Sequence, residues 1–444
     1  MPDDGFVQFN KHIIEYMRGV YVLLLISLLG YTGRVSGQES VTITQCYEWA
    51  RANYPQIHQM GLIDQTERYS LSNVGKAWLP QLSVSGKASY QSDVTKLPLD
   101  GDKISSLLPG FEIPSLSKDQ YQVVAQVDQT IWDGGSTRSA RALTRAEAIA
   151  NREQLESELY GLNDRVNQIY FGCLLQDELI RQNALLQKEL QVNIERIEAM
   201  MENGVANQSD LESMEVELLN ARQNEIELRA SRTVYRQMLA TFINKPLTDQ
   251  VVLKTPESPE RSLSTQINRP ELRALDAKSE WIETQNKQVT AGLMPRIGAF
   301  VQGGYGRPGL NMLEDSFEPY YVAGVRLSWN LGKLYTLKND RRKIEVSRRQ
   351  IDVQRETFLF NTRLQLLRQN TEIKKMTDLM RADDDIIRLR TSIKQAAEVK
   401  LENGVISVTD LIREINAEDM ARQTAAAHRV QRLMTIYNYM YTTN

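Results

Sequence analysis

Twenty-two residues of this chain occur twice, 200 positions apart and without a gap. Residues 202–223 read ENGVANQSDLESMEVELLNARQ and residues 402–423 read ENGVISVTDLIREINAEDMARQ, with nine positions identical. A duplication of this period fixes the architecture before any local reading, because the chain must be built as two similar halves. Each half contains the same sharp turn between helices. Without the repeat, 444 residues would predict two to four separate globular domains.

A second spacing supports the duplication. Tyr54–Trp78 reads as a helix, with Pro55 in its first turn and Pro80 closing it. Asn268-Arg269-Pro270 opens a similar stretch that Pro295 closes, and both proline pairs lie 25 residues apart. Each closing proline leads into an alternating segment. After Pro80, Leu82, Val84, Ala88 and Tyr90 share one face and Ser83, Ser85, Lys87, Ser89 and Gln91 the other. After Pro295 the apolar face holds Ile297, Ala299, Val301 and Tyr305. Two further segments place Tyr121, Val123, Ala125, Val127 and Ile131, and then Tyr321, Ala323, Val325, Leu327 and Trp329, opposite polar or small residues. A period of two marks strands with one apolar face, here four of them, two per half.

At about ten residues each, such strands suit a tilted crossing of an outer membrane, with tyrosines and Trp329 near their ends as an aromatic girdle. Leu82, Val84, Tyr90, Val123, Val127, Ile297, Val301, Val325, Leu327 and Trp329 are the expected lipid-facing residues. A sheet packed on a soluble core has the same alternation. The stretches 92–120 and 307–319, with their prolines and glycines, read as loops.

Long helices follow. Ser136–Asn203 has no proline, and Lys333–Asn403 has neither proline nor glycine. Each predicts a helix on the order of 100 Å, which requires a coiled-coil-like bundle. Return helices are expected over Leu211–Ile243 and from Leu411 to about Tyr441. At the turns, Gly204 and Gly404 stop the outgoing helices and Val205 and Val405 follow them. Asn207 and Ser407 are the expected N-caps. Asp210 and Asp410 stand three residues on, where a carboxylate reaches back to the cap.

The N-terminus has a secretory pattern. Met17-Arg18 precedes an apolar run from Val20 to Leu29 and the small residues Val35-Ser36-Gly37. Residues 1–16 fit poorly in front of such a signal, and Met17 is an alternative start. The apolar run is too short for a membrane helix. Residues 1–37 are therefore assigned to a signal peptide, 38–244 to the first repeat, 245–267 to a linker and 268–444 to the second repeat.

The composition gives no sign of chemistry. A net charge of −3 offers no electrostatic reason for a nucleic-acid partner. His12, His58 and His428 form no metal-ligand spacing with Cys46, Cys173 or acids, so no catalytic residue, cofactor or metal is expected. Asp133-Gly134-Gly135 reads as a strand-to-helix corner, and Asp383-Asp384-Asp385 as a solvated helix face.

The order helix, strand, loop, strand, helical hairpin, twice over, resembles the TolC-like outer membrane efflux proteins. The resemblance rests on Asn53-Tyr54-Pro55, Asn268-Arg269-Pro270, the prolines 25 residues on, Ile131-Trp132-Asp133-Gly134-Gly135 and the paired turns at 204–211 and 404–411. It implies a mainly α protomer with a small β part, four membrane strands and two long coiled-coil hairpins. Three copies would close a twelve-strand barrel continuous with an α-helical periplasmic tunnel, which fits the strand count because four strands cannot close one.

The resemblance also implies an exit duct in the bacterial outer membrane that performs no chemistry. Its expected partners are outer membrane lipid, a periplasmic adaptor and an inner-membrane transporter of an efflux or type I secretion system. In that family the turns form a periplasmic gate ringed by aspartates. Asp410 matches a gate aspartate, whereas Arg413 stands where a second acid is expected, and the first copy has Asp210 with Ser213. A luminal role for Asp410 and a purely capping role both remain open, as do two other classes: a periplasmic adaptor and a structural coiled-coil envelope protein.

Overall fold

A computed structural model describes residues 40–95, 116–259, 264–312 and 314–444. The signal assignment, most of the loop at 92–120 and part of the linker lie outside the described residues. The chain divides into two compact units. One, the sheet unit, comprises Arg51–Arg165, Pro259–Leu379 and Arg432–Asn444. The other, the hairpin unit, comprises the residues up to Ala50 with Val166–Ser258 and Met380–Gln431.

The sheet unit holds α2 (Gln59–Gly75), β2 (Gln81–Tyr90), β3 (Asp119–Trp132), α3 (Ser136–Tyr160), α6 (Pro270–Ala291), β5 (Arg296–Arg307) and β6 (Glu318–Ser328). The strands form one antiparallel sheet in the order β2-β3-β5-β6. The expected helix at 54–78 is divided. Pro55 opens a short 3-10 turn, Pro55–His58, then comes α2, and a second 3-10 turn, Lys76–Trp78, ends it before Pro80. In the second half Pro270 is the first residue of α6, where its missing N–H costs nothing.

α3 and α6 pack side by side, and α3 also packs on α2, where Arg152 pairs with Asp64 at 2.8 Å and with Glu67. α6 packs on α7 (Lys333–Glu402), whose first part lies in this unit, through Ile282, Ile344 and Ile351. Arg348–Glu283 at 2.9 Å and Arg355–Asp276 flank that contact. Strand order and helix order therefore agree.

The hairpin unit holds β1 (Ser40–Val41), most of α1 (Ile43–Asn53) and of α4 (Leu162–Glu202), α5 (Gln208–Ile243), β4 (Val252–Leu253), the end of α7 and most of α8 (Val408–Thr443). β1 pairs with β4 in parallel, and Tyr170 donates its hydroxyl to the carbonyls of Val41 and Lys254 at 2.9 and 2.7 Å. Cys46 and Cys173 are free and buried, and burial pushes each thiol up to about 12.

Two helix expectations are corrected. α1 was not foreseen, because its apolar residues Ile43, Cys46 and Ala50 form a narrow stripe among polar ones. The first long helix is not continuous. It breaks at Gly161, between α3 and α4, although Gly161 keeps nearly helical angles (φ −58°, ψ −18°). Glycine weakens a helix interior, and the turn falls where that weakness lies. α7, without a glycine, runs 70 residues unbroken.

Candidate functional site

Two features stand out: the outer face of the sheet, and the ends of the two hairpins.

The sheet's register gathers the apolar residues onto one face. Leu82 faces Val127, which faces Val301, which faces Ala323. Val84 lies opposite Ala125, Val123 opposite Tyr305, and Ile297 opposite Leu327. Among the described residues most of this face is uncovered, with Phe317 against the rings of Tyr305 and Tyr121 at one end. Leu82 is 71% exposed, Val325 70% and Tyr321 79%, and Val84, Tyr90, Val123, Val127 and Val301 are exposed with them. The opposite face is polar and internally hydrogen-bonded. Gln122 donates to the Tyr320 hydroxyl, Gln126 donates to Asp128 at 2.7 Å, and Arg326 lies 3.9 Å from Asp128. A soluble sheet buries its apolar face and wets its polar one; this arrangement is the reverse, as lipid outside and water inside require.

Two details depart from simple alternation. The β3–β5 register shifts between Thr130 and Trp132, so that Trp132 rather than Ile131 pairs opposite Ile297. A bulge of this kind bends a strand at a barrel rim. Trp329 lies one residue beyond β6, and its ring N–H donates to the Leu293 carbonyl at 3.0 Å.

Each helical turn is built from backbone logic. Gly204 and Gly404 adopt φ of +72° and +67°, the left-handed region. The N–H of Val205 bonds the Met200 carbonyl and that of Gly204 the Met201 carbonyl, both at 2.9 Å, which closes α4. Val405 to Lys400 and Gly404 to Leu401 repeat the pattern at the same distances.

The return helices start in capping boxes. The Asp210 N–H donates to Asn207 Oδ1, and the Asn207 N–H donates to Asp210 Oδ2, both at 3.1 Å. In the second copy the Asp410 N–H donates to Ser407 Oγ at 3.2 Å. The Ser407 N–H and hydroxyl donate to Asp410 Oδ2 at 3.2 and 2.8 Å. Arg413 NH1 lies 3.4 Å from the other carboxylate oxygen, Asp410 Oδ1. Hydrogen bonds from Ser407 hold the Asp410 carboxyl below the usual range, with Arg413 adding to them.

The two hairpins share one apolar cluster behind these turns. Leu190, Ile194 and Ile197 of α4, Met214 and Leu218 of α5, Ala397 and Leu401 of α7, and Val408, Leu411 and Ile415 of α8 are buried together. A charged cluster sits beside it. Lys394 lies between Glu189 and Glu418, with Glu418 Oε2 at 2.6 Å, and Thr391 donates to Glu418 Oε1 at 2.6 Å. Sequence reasoning missed this cluster, because Glu189, Lys394 and Glu418 are far apart and none carries a motif. It also misplaced Asp383, which is buried and 2.7 Å from His428 Nδ1 rather than solvated.

Among the described residues no group of His, Cys, Asp and Glu has the geometry of a metal site. No described helix is long and apolar enough to cross a membrane.

The comparisons with known proteins agree with this geometry. Residues 46–245 match the family model of the outer membrane efflux proteins. A search of curated proteins finds no match. Among solved structures, the chain is similar to CusC, a transmembrane channel protein, at 15% identity and TM-score 0.64, covering 90% of this chain and 92% of that one. It is similar to the outer membrane protein VceC of Vibrio cholerae at 12% and 0.60, covering 90% and 95%. It is similar to the MtrE outer membrane channel of Neisseria gonorrhoeae at 14% and 0.62, covering 90% and 88%. The model matches the first half, and the internal repeat ties the second half to it. Residues 46–245 thus carry the match to the outer membrane efflux protein family, and the chain as a whole has the fold of TolC-like outer membrane channels.

Proposed function

We propose that three copies of this chain form the exit duct of a tripartite efflux or type I secretion system. The observation that carries this reading is the sheet itself: a four-stranded sheet with a bare apolar face and with β2 and β6 as unpaired edges. Open edges are excluded from the hydrocarbon core, so the edges must meet other copies. Three copies supply twelve strands.

α7 supports the same reading. Val346, Val353, Phe360 and Leu367 recur every seven residues on it and are all exposed. An exposed apolar row at seven-residue spacing is a stripe that a neighbouring helix can cover, and another copy would supply that helix. Copurification from native membranes tests the assembly. An adaptor and an inner-membrane transporter are expected with this protein after mild cross-linking, and recovery without either would contradict the tripartite reading.

In this reading the hairpin ends face the periplasm and dock the adaptor. The residues around Gly204, Val205 and Asp210, and around Gly404, Val405, Asp410 and Arg413, narrow the entrance. Asp410 caps α8 and also brings a charge that Arg413 offsets. Replacing Asp410 with Asn keeps an acceptor for the cap and removes the charge. In planar bilayers Asp410→Asn should lower cation preference at unchanged thermal stability. Unchanged conductance and selectivity with a lowered Tm would reduce Asp410 to a cap.

A further inference from the structure

A cavity of about 900 Å³ lies in the sheet unit at the corner between β3 and α3. Four cations line it: Arg138, Arg141 and Arg145 of α3 and Lys287 of α6. None of the four has an ion-pair partner among the described residues. Asp133 is the one carboxylate in the lining. Its oxygens are taken up by the backbone N–H groups of Gly135 and Thr137, at 2.9 and 2.6 Å. Asn286 adds a buried side-chain oxygen, Oδ1, without a hydrogen-bond partner.

The side on which the cavity opens follows from two contacts. Arg296, on the polar side of β5, points its guanidinium at Ser136 Oγ, 3.5 Å away. Ser136 stands about 170° round α3 from the mean direction of the three arginines, at 100° per residue. Gln129 lies on the apolar side by its pairing with Ala299, and it donates to the carbonyl of Trp78, which lines the cavity. The cations therefore face the apolar side, just past the strand ends. β3 and β5 are the inner strands of the sheet, so the cluster is away from the edges where another copy would pair.

We propose that this cavity holds the phosphate head group of an anionic phospholipid of the inner leaflet. The acyl chains would run onto the apolar face of β2 and β3, and Trp78 would sit at the interface. Basic side chains at that depth attract anionic lipid, and arginine matches phosphate oxygens in pairs. The Asn286 oxygen fits a head group with a hydroxyl donor, as in phosphatidylglycerol. The inference rests on the membrane reading of the sheet.

The test is native mass spectrometry of the full-length protein in detergent, titrated with phosphatidylglycerol or phosphatidylcholine, beside flotation with lipid vesicles. Phosphatidylglycerol should bind at least about tenfold more tightly. Joint substitution R138Q/R141Q/R145Q should erase the preference, while the matching lysine substitutions keep most of it. Equal binding of the two lipids, or a preference unchanged in the glutamine variant, overturns the proposal. Equally strong displacement by millimolar inorganic phosphate would make this a free-anion site and also overturn it. Flotation separates the failures: wild-type protein that does not float refutes the membrane reading, whereas protein that floats without lipid preference refutes only this site.

Discussion

At the scale of single residues, most positions that matter hold a backbone or a neighbour in place. Arg269, expected only to precede a helix-starting proline, is 7% exposed. Its guanidinium pairs with Glu271 and lies over the rings of Tyr441 and Tyr160, at 4.5 and 5.2 Å from their centroids. Replacing Arg269 with Ala leaves Glu271 unpaired and empties an aromatic cage. It should destabilise the sheet unit by about 3 kcal/mol, read as a lowered Tm in detergent. Gly404 is a contrasting case. A Cβ there would meet nothing within 4 Å, so only its left-handed backbone resists substitution. Gly404→Ala should cost about 1 kcal/mol in thermal unfolding and leave assembly intact. The glycine and the cap at each turn were legible because both act through near neighbours in sequence. The aromatic rings around Arg269 and the burial of Asp383 were not, because those partners arrive from 45 or more positions away.

At the scale of elements, periodicity carried most of the information. Strand alternation and proline spacing read well because a residue's face in a sheet is set by sequence parity. The bulge at Thr130–Trp132 escaped, because an inserted residue leaves the composition unchanged. The break at Gly161 escaped because a lone glycine in a long helix is usually tolerated. The ionic cluster of α4, α7 and α8 gives a pH dependence that sequence could not. Burial, joined by the charges of Glu189 and Glu418, pushes Asp419 up to about 6, with Gln423 and Arg422 opposing. A carboxyl raised in the folded state binds more protons there than when unfolded. Stability therefore rises as pH falls from about 7 toward about 4.5, within the window between the folded and unfolded values. Thermal unfolding should show this increase in the wild type and lose most of it in Asp419→Asn. The α7 stripe makes a separate prediction. Phe360→Glu puts a charge on an exposed heptad position and should shift the protein from oligomer to monomer in detergent, with little change in helix content by circular dichroism.

At the scale of the whole molecule, the two halves do the same job with different residues. Both supply two strands, a proline-opened helix and a glycine-turned hairpin. The second copy alone carries an arginine beside its capping aspartate. The bare apolar face, the unpaired strand edges and the exposed heptad stripe all describe a surface that one chain leaves unfinished. The most direct test of that account is the native mass of the protein extracted from the outer membrane fraction. It should require detergent for extraction and measure as three copies of the mature chain. Release by salt alone as a monomer would contradict it.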